Sequence, residues 1–427
     1  MSIDKNDTGA AALKLAESDF AGDRRPLDVR SALTDYWNRI RAGDLGALPA
    51  LAGLAGLVVL FTALRPETFL SERNIANLFT QAMPVTILAM GLVFVLLLGE
   101  IDLSAGVASG VCGAVMAKLI VDSGQPWYVA VLSAVAAGIV IGAGTGWLVA
   151  VVRIPSFVVT LALFLGLQGI TLRLIGQGGT VPVRDEAIVA LANRNMPVWL
   201  GWTLAGVTAG GYAAVLLWRW RRQHQRGLAA QPVQLVAGQA VVVAMALLFG
   251  TYVLSMDRAP SPAVTLAGVP WGIPLVGVLL IVATFVLGRT AYGRHLYAIG
   301  GNAEAARRAG INVTRLRMSV FMICSGTAAI SGIFAASRLN SVTPDAGAGN
   351  TLLFAVGAAV IGGTSLFGGR GKARDAILGG LVVAIIANGL GLLGAKAYVN
   401  LLITGGVLLL AASIDALARR RRAATGR

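Results

Sequence analysis

Two acids, Glu100 and Asp102, stand in the segment Gly99-Glu100-Ile101-Asp102-Leu103-Ser104-Ala105-Gly106, and they are the only acids between Glu72 and Asp122. A carboxylate inside a bilayer costs ~2.5–3.5 kcal/mol on insertion scales, so its presence needs a reason. Two readings are open. In one, the chain unwinds between Gly99 and Gly106 and the acids face a water-filled path, which makes Glu100, Asp102 and Ser104 candidate path residues. In the other, the segment is a short loop at the inner membrane face and both acids are solvated.

A second interruption runs Gly362-Gly363-Thr364-Ser365-Leu366-Phe367-Gly368-Gly369-Arg370-Gly371-Lys372, with Thr364 and Ser365 as further candidate path residues. Its glycines and lysine only superficially resemble a phosphate-binding loop. That loop requires Gly, four intervening residues, then Gly-Lys and Ser or Thr. Here Leu366 holds the first position and Ala373 the last. No cofactor is expected on this chain, and any nucleotide-driven step must be carried by another subunit.

Little else could do chemistry. His224 lies in a basic loop and His295 in a hydrophilic one, and neither belongs to a nucleophile, base or metal cluster. Cys112 and Cys324 sit in apolar runs without metal-ligand spacing and read as small core residues. Gln168 and Asn388 interrupt apolar segments, where each is either a path residue or a hydrogen bond between helices. An enzyme and a metal site are both disfavoured.

The elements that must hold these residues follow from composition. Of 427 residues, 56% are hydrophobic and 13% charged, with mean hydropathy +0.76. A water-facing surface needs about 25% charge, so lipid must cover most of this one. The 54 glycines suit close helix packing in a bilayer. Apolar segments recur near 48–64, 80–98, 104–121, 127–151, 154–175, 198–218, 233–255, 271–289, 318–337, 351–367, 376–394 and 399–416. The expected fold is an all-α polytopic membrane bundle of about twelve spans, ten to twelve if some are broken or re-entrant. Setting Gly99 on Gly362 also matches Leu103 with Leu366 and Gly106 with Gly369, so 48–151 and 318–416 read as parallel repeats of four helices.

Twelve spans put both termini on one side. With the termini inside, 26 lysines and arginines fall on the inner face. Seven fall outside: Arg65, Arg73, Arg184, Arg194, Arg258, Arg338 and Lys396. That asymmetry satisfies the positive-inside rule. The net charge of +15 is thus a topology signal, and nucleic acid is not needed to explain it. The expected layout is a cytoplasmic tail over 1–45, a transmembrane region over 46–418 with a long inner loop at 290–317, and a basic cytoplasmic tail over 419–427. In the first tail, Leu33, Tyr36, Trp37 and Ile40 recur at helical spacing, with Ser31 as cap and Gly43 as stop, consistent with a surface helix or a chance stripe in a disordered tail.

The 290–317 loop carries one well-specified element. Asn302 is a good N-cap and Glu304 puts negative charge in the first turn. Arg307 and Arg308 put positive charge in the last turn, and Gly310 closes it. A helix of about two turns, from Asn302 through Ala303, Ala305 and Ala306 to Arg308, is too short to stand alone, because nucleation is not repaid below ~12–15 residues. It must dock on something.

Taken together, Gly-Glu-Ile-Asp-Leu-Ser at 99–104, Gly-Arg-His-Leu-Tyr-Ala-Ile-Gly-Gly-Asn at 293–302, Ala-Ala-Arg-Arg-Ala-Gly-Ile at 305–311, Gly-Gly-Thr-Ser-Leu-Phe-Gly-Gly-Arg-Gly at 362–371 and Asn-Gly-Leu-Gly-Leu-Leu-Gly at 388–394 resemble the permease subunits of bacterial ABC sugar importers, of the ribose/xylose type. The resemblance covers roughly residues 70–416. It implies a homodimer in the inner membrane, two copies of an ATPase on the cytoplasmic side and a periplasmic sugar-binding protein. It also implies that the helix at 302–309 is the coupling helix that docks on the ATPase. Glu100 and the extra pair of spans at 198–255 lean toward the xylose branch. The ribose branch has a Glu-Leu-Asp run where this chain has Asn350-Thr351-Leu352-Leu353-Phe354, which puts ribose in doubt as the substrate. The alternative is an ion-coupled secondary transporter using Glu100 and Asp102, which would leave the docking helix without a purpose.

Overall fold

The computed structural model describes residues 46–226, 231–259 and 265–424, together with Ser31, Thr34, Trp37 and Asn38, which are helical. Leu33, Tyr36, Ile40 and Gly43 of the expected surface helix lie outside the described residues.

Sixteen helices follow among the described residues from Leu48 onward. They are α1 (Leu48–Leu64), α2 (Pro66–Phe69), α3 (Glu72–Leu97), α4 (Ala105–Val121), α5 (Trp127–Ala150), α6 (Ser156–Ile175), α7 (Glu186–Asn193), α8 (Val198–Gln225), α9 (Val233–Ser255), α10 (Gly272–Arg289), α11 (Ala291–Gly301), α12 (Ala303–Arg308), α13 (Val313–Leu339), α14 (Thr351–Gly362), α15 (Ala373–Leu392) and α16 (Ala397–Ala424). Every apolar segment named above has become a helix. Nine helices are long and apolar enough to cross a bilayer, while α1, α4 and α14 are shorter. α14, with 12 residues, spans only ~18 Å at 1.5 Å per residue, against ~30 Å of hydrocarbon.

Two compact units result. One contains the hairpin of α8 and α9, in which Gln239 Nε2 donates to Tyr212 Oη at 2.8 Å. The other, residues 45–196 with 257–427, holds the main core. Its centre is α3, whose residues from Ile87 to Leu98 are almost all buried. α13 packs along α3, α4 and α5, and α15 packs between α3 and α14. Small residues make these contacts close: a Cβ added to Gly110 of α4 would land on the Ala346 carbonyl, so only glycine fits there. A two-residue ladder pairs Val181 with Val342 and Pro182 with Ser341, tying the chain after α6 to the chain after α13.

The outward surface is apolar. Leu132, Leu165, Ile281 and Leu402 are among many large side chains left more than half exposed. Lipid, not water, is the solvent that suits them. Cys112 and Cys324 are buried and unpaired, as expected of small core residues.

Candidate functional site

Three parts of the chain that are far apart in sequence meet at the C-terminal end of α3. They are the 98–104 break, the 363–372 break and the junction between α11 and α12. Gly369 N donates to Leu97 O at 2.8 Å. Gly300, near the end of α11, lies against the same two groups, where a Cβ would collide with both the Leu97 carbonyl and the Gly369 backbone. Tyr297 Oη donates to Gly371 O at 2.7 Å. Burial pushes the Tyr297 phenol up from its ordinary value, so it stays a hydrogen-bond donor.

The local chemistry at the junction matches the caps read from the sequence. Asn302 Oδ1 accepts from the Glu304 and Ala305 amides, each at 3.0 Å. Glu304 pairs with Arg307 at 2.8 Å and with Arg308 at 3.5 Å. These pairs are exposed and contribute only tenths of a kcal/mol each. Gly310, with φ +84°, turns the chain toward α13. Ala303 is half-buried, Ala306 is buried and Ala305 is exposed, so α12 has an attached side and an open one. The 11-residue helix α11, capped by Thr290 Oγ1 on the Gly293 amide, was not expected from the sequence.

Each break is closed by a buried carboxylate, the first by one of its own residues and the second by Asp375 in the first turn of α15. Asp102 is 1% exposed and lies in the connection outside α3 and α4. Its Oδ1 accepts from Ser104 N at 2.9 Å and Ser104 Oγ at 2.6 Å. Its Oδ2 accepts no hydrogen bond of ordinary geometry, and the polar group beside it is the thiol of Cys324, a weak donor. Burial therefore pushes the Asp102 carboxyl up, only partly opposed by Ser104. Glu100 instead pairs with Arg317 at 3.2 Å. In the second break, Asp375 Oδ2 accepts from Lys372 N at 2.7 Å and Thr364 Oγ1 at 3.1 Å. Ser365 Oγ donates to Asp415 Oδ2 of α16 at 3.0 Å. A polar cavity of about 320 Å³ adjoins the first break, with Glu100, Arg153, Arg307 and Arg317 among its lining.

The remaining named residues lie elsewhere. Asn388 Nδ2 donates to Asn74 Oδ1 at 2.8 Å, joining α15 to α3. Gln168 is half-buried on α6 and makes no side-chain hydrogen bond among the described residues. A second cavity, of about 330 Å³, sits between α3, α4, the last turns of α13 and the 341–351 connection. None of Glu100, Asp102, Ser104, Gln168, Thr364, Ser365 or Asn388 lines it. Gln81, Arg338 and Asp345 do, and sequence reading missed them. Gln81 falls in the first turns of an apolar segment and Arg338 just past the end of another, positions where polar residues draw no notice.

A buried bundle with a protruding capped helix and two lined cavities is the form of a membrane transport subunit. The chain belongs to the family described as branched-chain amino acid transport system / permease component, whose model matches residues 74–412. It is 35% identical over 401 residues to the xylose transport system permease protein of Escherichia coli (strain K12), covering 93% of this chain and 98% of that one. The corresponding protein of Haemophilus influenzae is 32% identical over 382 residues, covering 88% and 98%. The ribose import permease protein of Escherichia coli (strain K12) is 31% identical over 366 residues, covering 86% and 92%. No solved structure matches.

Proposed function

We propose that this chain is the membrane-embedded permease of an ATP-binding-cassette importer for a pentose, with xylose the sugar carried. It works in the inner membrane with a separate ATPase and a periplasmic sugar-binding protein, and it pairs with a second copy of itself. The observation that carries this reading is the match to xylose permeases along nearly the full length of both chains. The ion-coupled alternative draws no support from these relatives, and the chain itself is a conduit rather than an enzyme.

The junction of α11, α12 and the two breaks supports a mechanism. With both termini inside, α12 faces the cytoplasm and its exposed side is free for the ATPase. ATP binding draws the two ATPase copies together and moves α12. Through Gly300 that movement reaches Leu97 at the end of α3 and Gly369 ahead of α15, because close-packed backbones shift as a unit rather than deform. The helices α3, α14 and α15 then change their spacing around the path. The chain supplies no phosphate cradle, so the nucleotide chemistry stays with the partner.

The test is reconstitution of the complete complex in vesicles. ATP inside the cytoplasmic compartment should drive D-xylose uptake that requires the binding protein. Uptake driven by an ion gradient with the permease alone would overturn the reading.

A further inference from the structure

We infer that the cavity between α3, α4, the end of α13 and the 341–351 connection is a docking site for the transported monosaccharide, with Gln81, Arg338, Thr343 and Asp345 as its polar contacts. This rests on the importer reading above. The first observation is a pair of opposite charges kept apart. Arg338 and Asp345 line one cavity, yet neither side chain makes a hydrogen bond or ion pair among the described residues. Gln81 and Thr343 are likewise without side-chain partners there.

The backbones that carry them are held independently. Arg338 is fixed on the last turn of α13. Asp345 belongs to a connection held at one side by the Val181–Val342 pairing and at the other by the seating of Ala346 on Gly110 of α4. The nearby hydroxyls of Ser109 and Ser331 behave differently, being donated to Gly106 O at 2.6 Å and to Pro84 O at 2.7 Å. The cavity thus has polar groups committed to structure and others free to meet a ligand, namely the four above and Thr351.

The free set fits vicinal hydroxyls. A guanidinium donates two parallel hydrogen bonds, a carboxylate accepts two, and an amide and a hydroxyl do both. Each sugar hydroxyl donates and accepts, so neighbouring hydroxyls can bridge Arg338 and Asp345. Pro84, Val85 and Ala336 provide an apolar wall for the C–H face of the ring. At about 330 Å³ the cavity lies at the lower end of the ~300–1,000 Å³ range of small-molecule sites, suited to one monosaccharide. One positive and one negative lining group favour an uncharged ligand or a zwitterion, and the hydroxyl-matching Gln81 and Thr343 favour the former.

Ala348→Cys, which adds a thiol to the cavity wall without altering the four contacts, tests this in the full-length chain. The native Cys112 and Cys324 are buried, so a membrane-impermeant maleimide reports on position 348. Saturating D-xylose should slow labelling several-fold, and leucine should not. Adding Arg338→Gln or Asp345→Asn should raise the D-xylose needed for half-protection about tenfold, the loss expected for one charge-assisted hydrogen bond. Labelling indifferent to D-xylose, equal protection in the double variants, or equal protection by leucine overturns the site. Arg338→Lys covers the case in which Arg338→Gln does not fold. ATP-driven import by the complete complex separates the two proposals. Import without protection removes the site and keeps the importer. Protection without import keeps the site and removes the importer.

Discussion

The two interruptions of the apolar pattern handle the same physical problem to different degrees. Each places a carboxylate where water is absent. In the 363–372 break, Asp375 is enclosed by the Lys372 amide and the Thr364 hydroxyl, and the adjacent Ser365 reaches Asp415. At the 98–104 break, Asp102 likewise accepts both its hydrogen bonds on one oxygen, from Ser104 N and Ser104 Oγ, and its other oxygen is buried without a partner of ordinary geometry. The second break is tied to α15 through Asp375 and to α16 through Asp415, whereas the Asp102 bonds reach only two residues along the chain. Beside the first, the half-buried Glu100 pairs with Arg317. What joins the two is the α11–α12 junction, which touches both through Gly300. The difference is one of range: one carboxylate ties its break to neighbouring helices, and the other closes its break on itself.

The largest expected effect comes from breaking α12, the element proposed to drive both. Ala306 N donates to Asn302 O at 3.0 Å, and Ala306 is buried. Ala306→Pro removes that bond and crowds the preceding turn, at a cost of ~3 kcal/mol in a helix of six residues. The variant should insert normally in the membrane but lose ATPase co-purification and sugar-stimulated ATP hydrolysis together. Retention of both would detach α12 from coupling.

Next is the shared seat. Gly300→Ala puts a methyl group onto the Leu97 carbonyl and the Gly369 backbone, an overpacking cost of ~1–3 kcal/mol. Thermal unfolding of the purified chain should fall, and the remaining folded fraction should import more slowly. Unchanged import would show that the two breaks move independently of α11.

Asp375→Ala should cost ~1–3 kcal/mol by leaving the Lys372 amide and Thr364 hydroxyl unsatisfied. The equivalent loss at the first break should be of similar size, because Asp102 also accepts two hydrogen bonds there. Asp102→Asn keeps the side-chain shape and removes the charge. Because the folded-state carboxyl of Asp102 lies above its unfolded value, the folded protein holds the proton more tightly. Stability is then lost as pH rises from about 4 through the folded pKa. Melting curves across this range should show that decline in the parent chain and a flatter profile in Asp102→Asn, with import close to normal. Abolished import by the Asn variant would instead support Asp102 as a path residue.

Much of this was legible in residue order. Lipid exposure demands long apolar runs, so all twelve segments could be placed. Capping is local, so Asn302, Glu304, Arg307, Arg308 and Gly310 announced α12. The two breaks were visible as glycine and polar residues in apolar surroundings. Helix α11 was missed behind its three glycines, although Tyr292, Leu296 and Ile299 recur at helical spacing and the last two are held in the core.

Sequence by itself thus determined the class of fold, the orientation signal and the capped helix α12, since each depends on short-range chemistry or on composition summed over a span. Tertiary structure alone decided which residues face one another. Glu100 meets Arg317, Asn388 meets Asn74, and Arg338 shares a cavity with Asp345 while remaining unpaired with it. Periodicity can assign a residue to a helix face. The cavity, however, lies between helices whose relative placement is set by glycine contacts such as Gly110 against Ala346, and those depend on the whole packed bundle.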